Sequence, residues 1–316
     1  MINRRLIRIK TFQALYAYNS VPKKSISNAK KELSHSIIKT LDLYFLLLQL
    51  SIDVKDYAFQ KIENNKAKHL ANDEDLNPNT LFINNLFLLQ LEKNEQFNNY
   101  CKAQKLSWTD HSGFIKNLYN TLISSDVYKK YMSEEKNTYK TDKKFITLFY
   151  EEILGNSEEI IKLLEEESIY WTEDFEFVIN VLLKTIRTFK KSDTNDKTLI
   201  ELYKNDDDKK FAEDLLEATI SSHDNNIQLI EKFTKNWEID RIIQIDVLLM
   251  EMSITEFTNF PSIPIKVTLD EYIELSKFYS SPKSKIFING VLDKIIGYLK
   301  ENNRIIKKGR GLIGQV

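Results

Sequence analysis

The sequence predicts an all-α fold, and three observations support this prediction. The chain of 316 residues contains only 7 Gly and 5 Pro, and its first glycine is Gly113. Folds rich in sheets and turns need more of these residues, so long helices are favoured. Apolar residues recur at helical spacing over most of the chain, and several of these segments begin with residues that favour helix N-termini. Since 42% of the residues are apolar, the chain has ample material for a core.

The first predicted helix spans about residues 3–19 and ends before Pro22. One of its faces carries a packing stripe formed by Ile7, Thr11, Ala14, Leu15 and Tyr18. The neighbouring strip is basic at its start and aromatic further on, and it consists of Arg5, Arg8, Phe12 and Tyr16.

Residues 23–204 show an almost unbroken helical pattern. Helices are predicted at residues 27–64, 80–102, 111–124, 141–154, 157–167, 172–190 and 196–204. The apolar stripe of Leu43, Leu46, Leu47 and Leu50 must be buried, and we expect it to pack among these helices.

The last part of the chain is predicted to form helices at residues 207–222, 225–237, 239–258, 268–279 and 282–302. Thr268 and Glu271 have the spacing of a capping box. Ser281 precedes Pro282, which predicts a capping hydroxyl followed by a proline at the first helical position.

Cysteine usage and hydropathy indicate the compartment. The single cysteine, Cys101, allows no internal disulfide and fits a reducing environment. The N-terminal residues lack the apolar run of a signal peptide. The most apolar stretch, residues 41–50, is too short for a membrane helix, which needs ~20 residues. We therefore expect a soluble cytoplasmic protein that does not engage a membrane.

The residue types indicate no catalytic or cofactor site. The four histidines lie far apart, without cysteine or carboxylate at metal-ligand spacing. Gly-rich phosphate loops and the Gly-x-Ser-x-Gly nucleophile motif are also missing from the sequence. Paired carboxylates are abundant, but a helical chain rich in Glu offers them by chance. We predict a protein that is not an enzyme and that uses no metal or cofactor.

The net charge of −1 conceals segments of opposite sign. Residues 1–10 are basic and residues 277–310 are mostly basic, whereas residues 151–176 are strongly acidic. The acidic run is best explained by solvated helix faces. Basic groups that share a face can still bind a polyanion, because the local field matters more than the total charge.

The first helix is the better candidate for a binding site. Arg4, Arg5 and Arg8 present guanidinium groups suited to phosphate contact, and Tyr16 and Tyr18 offer rings on which a base can stack. On residue types alone, a solvated helix end with two core aromatics is the simpler interpretation.

Both ends of the chain share motifs with a known family. Arg4-Arg5-x-x-Arg8 and Gln13-Ala-Leu-Tyr16 are followed much later by Phe211-Ala-Glu-Asp-Leu-Leu216, Trp237, Pro264-x-Lys266-Val267 and Phe287-Ile-Asn-Gly-Val-Leu-Asp-Lys294. In this order and spacing the motifs resemble the NusB family of bacterial transcription antitermination factors. The resemblance covers about residues 1–20 and 205–300, and its C-terminal motif is the more specific one.

The resemblance implies a helical bundle that binds boxA-type single-stranded RNA together with the small-subunit ribosomal protein NusE, in an RNA polymerase antitermination complex. Asp246 matches an acidic position that the family uses towards NusE. Phosphate contacts are expected from Arg4, Arg5, Arg8, Lys277, Lys283 and Lys285, and a base contact from Tyr16.

The chain departs from the family at several points. Glu251 stands where family members commonly have an arginine, residues 280–285 add positive charge, and a long insertion separates the matched ends. A helical protein-interaction scaffold without RNA binding is therefore the main alternative. Some ribosomal RNA cytosine methyltransferases also begin with a NusB-like fold, but no cofactor-binding sheet follows here.

These observations predict an RNA-binding core of residues 1–20 and 205–302, an inserted helical region of residues 21–204, and a disordered basic tail of residues 303–316. The first helix is expected to pack beside the helix at residues 282–302. Because Gly is unfavourable inside a helix, Gly290 is expected to allow that close approach. The adjacent Asn289 is expected to bond a backbone group or to reach RNA.

Overall fold

A computed structural model describes residues 2–234 and 241–308. Trp237, the predicted helix boundaries at residues 237 and 239, and the end of the basic tail lie outside these residues. Within the described residues every regular element is helical, apart from a single parallel β-bridge between Ile2 and Tyr203. The predicted all-α fold is confirmed.

The chain divides into two compact units. The terminal unit contains Ile2–Ile37 and the residues from Tyr203 onwards, and the insert unit contains Ile38–Leu202. The sequence placed the first boundary near residue 20, whereas the structure places it after Ile37. The difference has a physical cause: Ala29, Leu33 and Ile37 are buried apolar residues, and Lys30 forms an ion pair with Glu217 of the terminal unit.

Two helices begin the chain. Helix α1 (Arg4–Ser20) starts where the Asn3 side chain accepts a hydrogen bond of 2.8 Å from the Leu6 backbone N–H. Helix α2 (Ile26–Lys66) is 41 residues long and contributes residues to both units. None of the described helices is long and apolar enough to cross a membrane.

The insert unit continues with eight α-helices and two short segments of other helical types. The α-helices are α3 (Asp73–Leu76), α4 (Leu86–Leu91), α5 (Glu95–Gln104), α6 (Ser112–Ser124), α7 (Asp126–Met132), α8 (Tyr139–Leu148), α9 (Glu158–Glu167) and α10 (Phe175–Thr188). A 3-10 turn at Thr109–His111 precedes α6, and a π-helical segment at Phe149–Leu154 extends α8.

The insert unit has a hydrophobic core of its own, built around α2. Leu43, Leu46, Leu47 and Leu50 are all buried in a cluster that consists only of residues from this unit, as the apolar stripe predicted. The ring N–H of Trp108 donates to the Leu46 carbonyl at 2.8 Å. Such bonds fix the bulky side chains around the helix and satisfy their polar atoms.

Two predicted helices of this unit have a different structure. The segment predicted as one helix at residues 80–102 is interrupted, because the side chains of Asn85 and Asn94 cap the starts of α4 and α5. The segment predicted as a helix at residues 196–204 is not helical. Its backbone bonds to side chains instead. The Gln96 side chain accepts a hydrogen bond from the Leu199 backbone N–H and donates one to the Ile200 carbonyl.

The terminal unit is completed by five helices, α11 (Asp206–Ser221), α12 (His223–Phe233), α13 (Gln244–Asn259), α14 (Ile265–Tyr279) and α15 (Ser284–Glu301). Helix α13 packs against α1, α11, α12, α14 and α15, and it is therefore the central helix of the bundle. A helix surrounded on all sides is usually apolar. Helix α13 nevertheless buries three carboxylates, those of Asp246, Glu251 and Glu256.

Arg8 of α1 neutralises one of these carboxylates. Its Nε and Nη2 donate to the two oxygens of Glu256 at 2.9 and 2.6 Å, and both side chains are at most 3% exposed. Burial alone lowers the pKa of Arg8, but the hydrogen bond and the charge of Glu256 raise it above its ordinary value. Arg8 therefore keeps its positive charge beside the Glu256 carboxylate.

Helix α14 supplies the remaining hydrogen bonds to Glu256. Thr268 Oγ1 donates to one carboxylate oxygen at 2.7 Å, and the Tyr272 hydroxyl donates to the other at 3.1 Å. Burial, followed by the charge of Glu256, raises the pKa of Tyr272, so the hydroxyl keeps its proton and remains a donor. One carboxylate thus joins α1, α13 and α14.

The capping predictions for the last two helices are wrong. Thr268 lies inside α14, which begins at Ile265, because its hydroxyl bonds to Glu256 and does not cap a backbone N–H. Helix α15 begins at Ser284, and no side chain caps its start. The hydroxyls of Ser280 and Ser281 in the preceding turn each bond to the hydroxyl of Ser284.

The predicted packing of α1 beside α15 is also corrected. Helix α1 packs against α11 and α13, whereas α15 packs against α12, α13 and α14. Gly290 is exposed, and a Cβ added there meets no atom within 4 Å, so close helix packing does not account for this glycine. Asn289 donates to Asp293 on the same helix.

We predict that Arg8→Ala and Glu256→Ala each lower the free energy of unfolding by about 3–5 kcal/mol, because each leaves a buried charge without its partner. Urea unfolding followed by circular dichroism measures this change. Replacing both residues with Met should lower it much less, since no charge is then left buried. Arg4→Ala is the matched control, because Arg4 pairs with Asp208 at a more exposed position. Equal losses for Arg4→Ala and Arg8→Ala would contradict this account.

Candidate nucleic-acid interface

The Arg8 guanidinium is not available to phosphates. Its two bonds to Glu256 and its burial hold it inside the bundle, with its guanidinium carbon 5.3 Å from the centre of the Phe211 ring. The prediction that Arg8 contacts RNA is therefore corrected to a structural role: the residue fixes α1 against the central helix. No local sequence pattern indicates this role, because Glu256 lies 248 positions away.

Arg4 and Arg5 remain near the surface at the start of α1. Arg4 donates to Asp208 at 2.9 Å and lies over the Phe211 ring. Arg5 is half-buried. Both line a pocket of about 420 Å³ that also includes Asn3, Arg8, Ser262, Ile263, Pro264, Val267 and Glu271.

Two helix N-termini adjoin this pocket, those of α1 and α14. Neither has an acidic residue in its first turn, and α14 has no side-chain cap. The N-terminus of a helix carries partial positive charge and backbone N–H groups that attract anions. These ends and the guanidinium groups of Arg4 and Arg5 attract an anion to the pocket, whereas the Glu271 carboxylate in the same lining opposes it.

A second group of cations lies around Glu274 of α14. Lys277 forms an ion pair with Glu274, and this bond lowers the pKa of that carboxyl. The charges of Arg5 and Lys285 act in the same direction. Cations of α1 and α15 thus influence the same carboxyl of α14, although α1 does not lie beside α15. We call Arg4, Arg5, Lys277 and Lys285 the cationic face.

The other predicted RNA-contacting residues have different environments. Lys283 is exposed in the residue before α15. Tyr16 is 40% exposed, and its ring lies 6.4 Å from that of Phe12, which in turn contacts Tyr279. The Tyr16 ring is thus tilted against that of Phe12 on the same helix, while part of the side chain remains accessible.

Asp246, the predicted partner contact, is only 3% exposed. Its carboxylate accepts a hydrogen bond from the Ser280 hydroxyl, and Ser280 bonds in turn to Ser284. A direct contact with a partner is therefore not available in this structure. Asp246 instead orders the turn between α14 and α15, which carries Lys283.

Lys307 lies in the segment predicted to be disordered, but its ammonium group donates to the carbonyls of Glu256 and Phe260 at 3.2 and 2.9 Å. These carbonyls belong to the end of α13, where a cation is favourable. Burial lowers the pKa of Lys307 to about 8. The rest of the predicted tail, from residue 309, lies outside the described residues.

Glu251 occupies a second, smaller pocket of about 210 Å³, with Tyr18, Lys24 and His223 among its lining residues. Its carboxylate contacts His223 Nδ1 at 2.7 Å. Burial raises the pKa of Glu251, and the nearby His223 only partly offsets this effect. The residue that departs from the family pattern is thus an internal acid of the bundle.

We predict that Glu251→Gln makes the terminal unit less sensitive to pH. Because folding raises the pKa of Glu251 above its ordinary 4.5, the folded state holds the proton more tightly than the unfolded chain. Stability from this group is present at low pH and is lost as the pH rises through the folded pKa. Urea unfolding measured as the pH is raised above 4.5 should therefore show the wild type losing stability relative to the variant.

The matched control is Glu274→Gln, because the pKa of that exposed carboxyl is lowered and its effect has the opposite sign. A stability difference between wild type and Glu251→Gln that does not change with pH would contradict the assignment.

Comparison with known proteins gives a family for part of the chain. Residues 175–297 match the model of the NusB family. The matched range begins at the start of α10 and ends within α15, so it includes the central helix α13 but not α1. No solved structure matches the chain.

Three curated relatives bear the name transcription antitermination protein NusB. The protein of Salinibacter ruber is 46% identical over 104 residues, 33% of this chain and 65% of the relative. That of Thermodesulfovibrio yellowstonii is 42% identical over 29% of this chain and 60% of the relative, and that of Natranaerobius thermophilus is 36% identical over 27% and 65%. The matches thus span less than two thirds of each relative's length. The chain carries a NusB-family domain at residues 175–297.

Proposed function

We propose that this protein is a transcription antitermination factor that binds single-stranded RNA through its terminal unit. The observation that supports the proposal most is the cationic face, which gathers arginines and lysines from three helices of the unit that contains most of the NusB-family match. Cations on separate elements that share one face are typical of a polyanion site.

Phosphates are the proposed ligands of Arg4 and Arg5 in the pocket, and of Lys277, Lys283 and Lys285 beyond it. Arginine is suited to the pocket because its planar group donates in two directions, while the exposed lysines act as point charges. Such contacts position the strand without reading its sequence. Selectivity then comes from bases that stack on aromatic side chains, and Tyr16 is the proposed base contact.

The RNA that we propose is a boxA-type element of ribosomal RNA transcripts, bound together with NusE during antitermination by RNA polymerase in the cytoplasm. The names of the relatives support the process, and the RNA element and NusE follow from the resemblance of the sequence to the family. Asp246 would influence the NusE contact indirectly, through the turn that it orders before α15. The function is one of binding, with no reaction catalysed.

We predict that replacing Arg5 and Lys285 with Ala flattens the salt dependence of RNA affinity. Each neutralised phosphate of a single strand contributes a log–log slope of about −0.7, so the double variant should lose about 1.4 units of slope. Fluorescence anisotropy with a labelled single-stranded RNA, measured over a salt series, gives this value. The matched control is Arg187→Ala with Lys129→Ala, which removes two exposed cations of the insert unit.

Tyr16→Ala should leave the slope unchanged while weakening binding by about 1–3 kcal/mol, because stacking involves no counterion release. If the Arg5 and Lys285 variant keeps the wild-type slope, the cationic face does not bind phosphates, and the scaffold function becomes the better account.

A further inference from the structure

Phe278 is the most exposed aromatic side chain among the described residues, at 74% of its full accessible surface. A single exposed apolar residue is common and by itself indicates nothing. The surroundings of Phe278 are what distinguish it from the exposed aliphatic residues Leu70 and Ile169 of the insert unit.

Phe278 lies on the same side of α14 as the cations described above. It follows Glu274 by four positions, which places the two side chains one above the other on the helix. Glu274 pairs with Lys277 and is influenced by the charges of Arg5 and Lys285. The exposed ring therefore lies next to groups that attract phosphates.

The same side of α14 leads back to the phosphate pocket. Val267, Glu271, Glu274 and Phe278 are spaced by four, three and four positions, so they form one stripe along the helix. Val267 and Glu271 line the pocket with Arg4 and Arg5. The stripe is about 16 Å long at the helical rise per residue, which matches about five nucleotides of stacked single strand.

We propose that Phe278 is a base-stacking platform, and that the RNA strand runs beside this stripe from the pocket at Arg4 and Arg5 to the Phe278 ring. Its phosphates face the flanking cations Lys277 and Lys285 and avoid the carboxylates of Glu271 and Glu274. The inference rests on the proposed RNA binding and specifies its path. A base presents a flat face to the ring while its phosphate reaches the flanking cations, and this combination is how single strands are held without strong sequence preference.

The charges around Phe278 favour a nucleic acid over an apolar protein partner. An apolar partner needs a contiguous patch, but the stripe neighbour Glu274 and the adjacent Lys277 are both charged. A nucleotide needs only one ring with cations at its edge.

The test is the affinity of the full chain for a labelled single-stranded RNA of mixed sequence, measured for three substitutions of Phe278. Phe278→Ala should weaken binding about 5- to 150-fold without changing the salt slope, and Phe278→Trp should keep or improve it. Phe278→Leu keeps an apolar side chain but has no aromatic face, and should bind as weakly as the Ala variant. Phe59→Ala, at an exposed phenylalanine of the insert unit, should bind as the wild type does.

The remaining outcomes distinguish failure of the stacking platform from failure of RNA binding itself. If the wild type binds with a salt-dependent affinity and Phe278→Ala binds equally well, the stacking platform is wrong while the proposed RNA function stands. If Phe278→Leu retains full affinity, the contact with RNA is apolar and not stacking, and the proposed stacking platform is overturned. If the wild type shows no salt-dependent RNA binding, both proposals fail. Unchanged circular dichroism of the variants excludes misfolding as the cause.

Discussion

The ion pair between Arg8 and Glu256 is the constraint on which the arrangement of the terminal unit depends. A buried carboxylate on a central helix is unfavourable unless a cation and several donors satisfy it. Here the cation comes from α1 and the neutral donors come from α14, so the two helices that carry the pocket are fixed by the same group. Removing one partner of such a pair leaves a buried charge, so α1 and α14 are constrained to pack on α13 where Arg8, Thr268 and Tyr272 reach Glu256.

This packing explains the surface. With Arg8 turned inwards, Arg4 lies one turn earlier over the same Phe211 ring, and Arg5 points to the side occupied by α14. The pocket then forms where the starts of α1 and α14 meet. Arg8 thus differs from the other two arginines of α1. It is buried against Glu256, whereas Arg4 and Arg5 remain near the surface.

The helical fold was predictable because scarce Gly and Pro, helical periodicity and apolar content all indicate it. Local contacts of Asn85, Asn94 and Gln96 divided or replaced predicted helices, since one side chain can outweigh a favourable periodic pattern. The basic residues of the candidate site were proposed from their charge together with the family resemblance. The burial of Arg8 could not be predicted, because it depends on Glu256, an acid that lies within an apolar run and is distant in sequence. The exposure of Phe278 likewise depends on how α14 packs in the bundle. The spacing of apolar residues along α14 does not show which of them face solvent.

The surface formed by α1, α14 and the start of α15 is proposed to contact RNA. Hydrogen exchange measured by mass spectrometry, with and without a single-stranded RNA, tests this claim most directly because it reports on every peptide of the full chain. The account predicts slower exchange in peptides from the start of α1, the start and end of α14, and the turn before α15, with no change in the insert unit. Protection confined to residues 38–202, or no protection at any peptide under conditions of measurable binding, would contradict it.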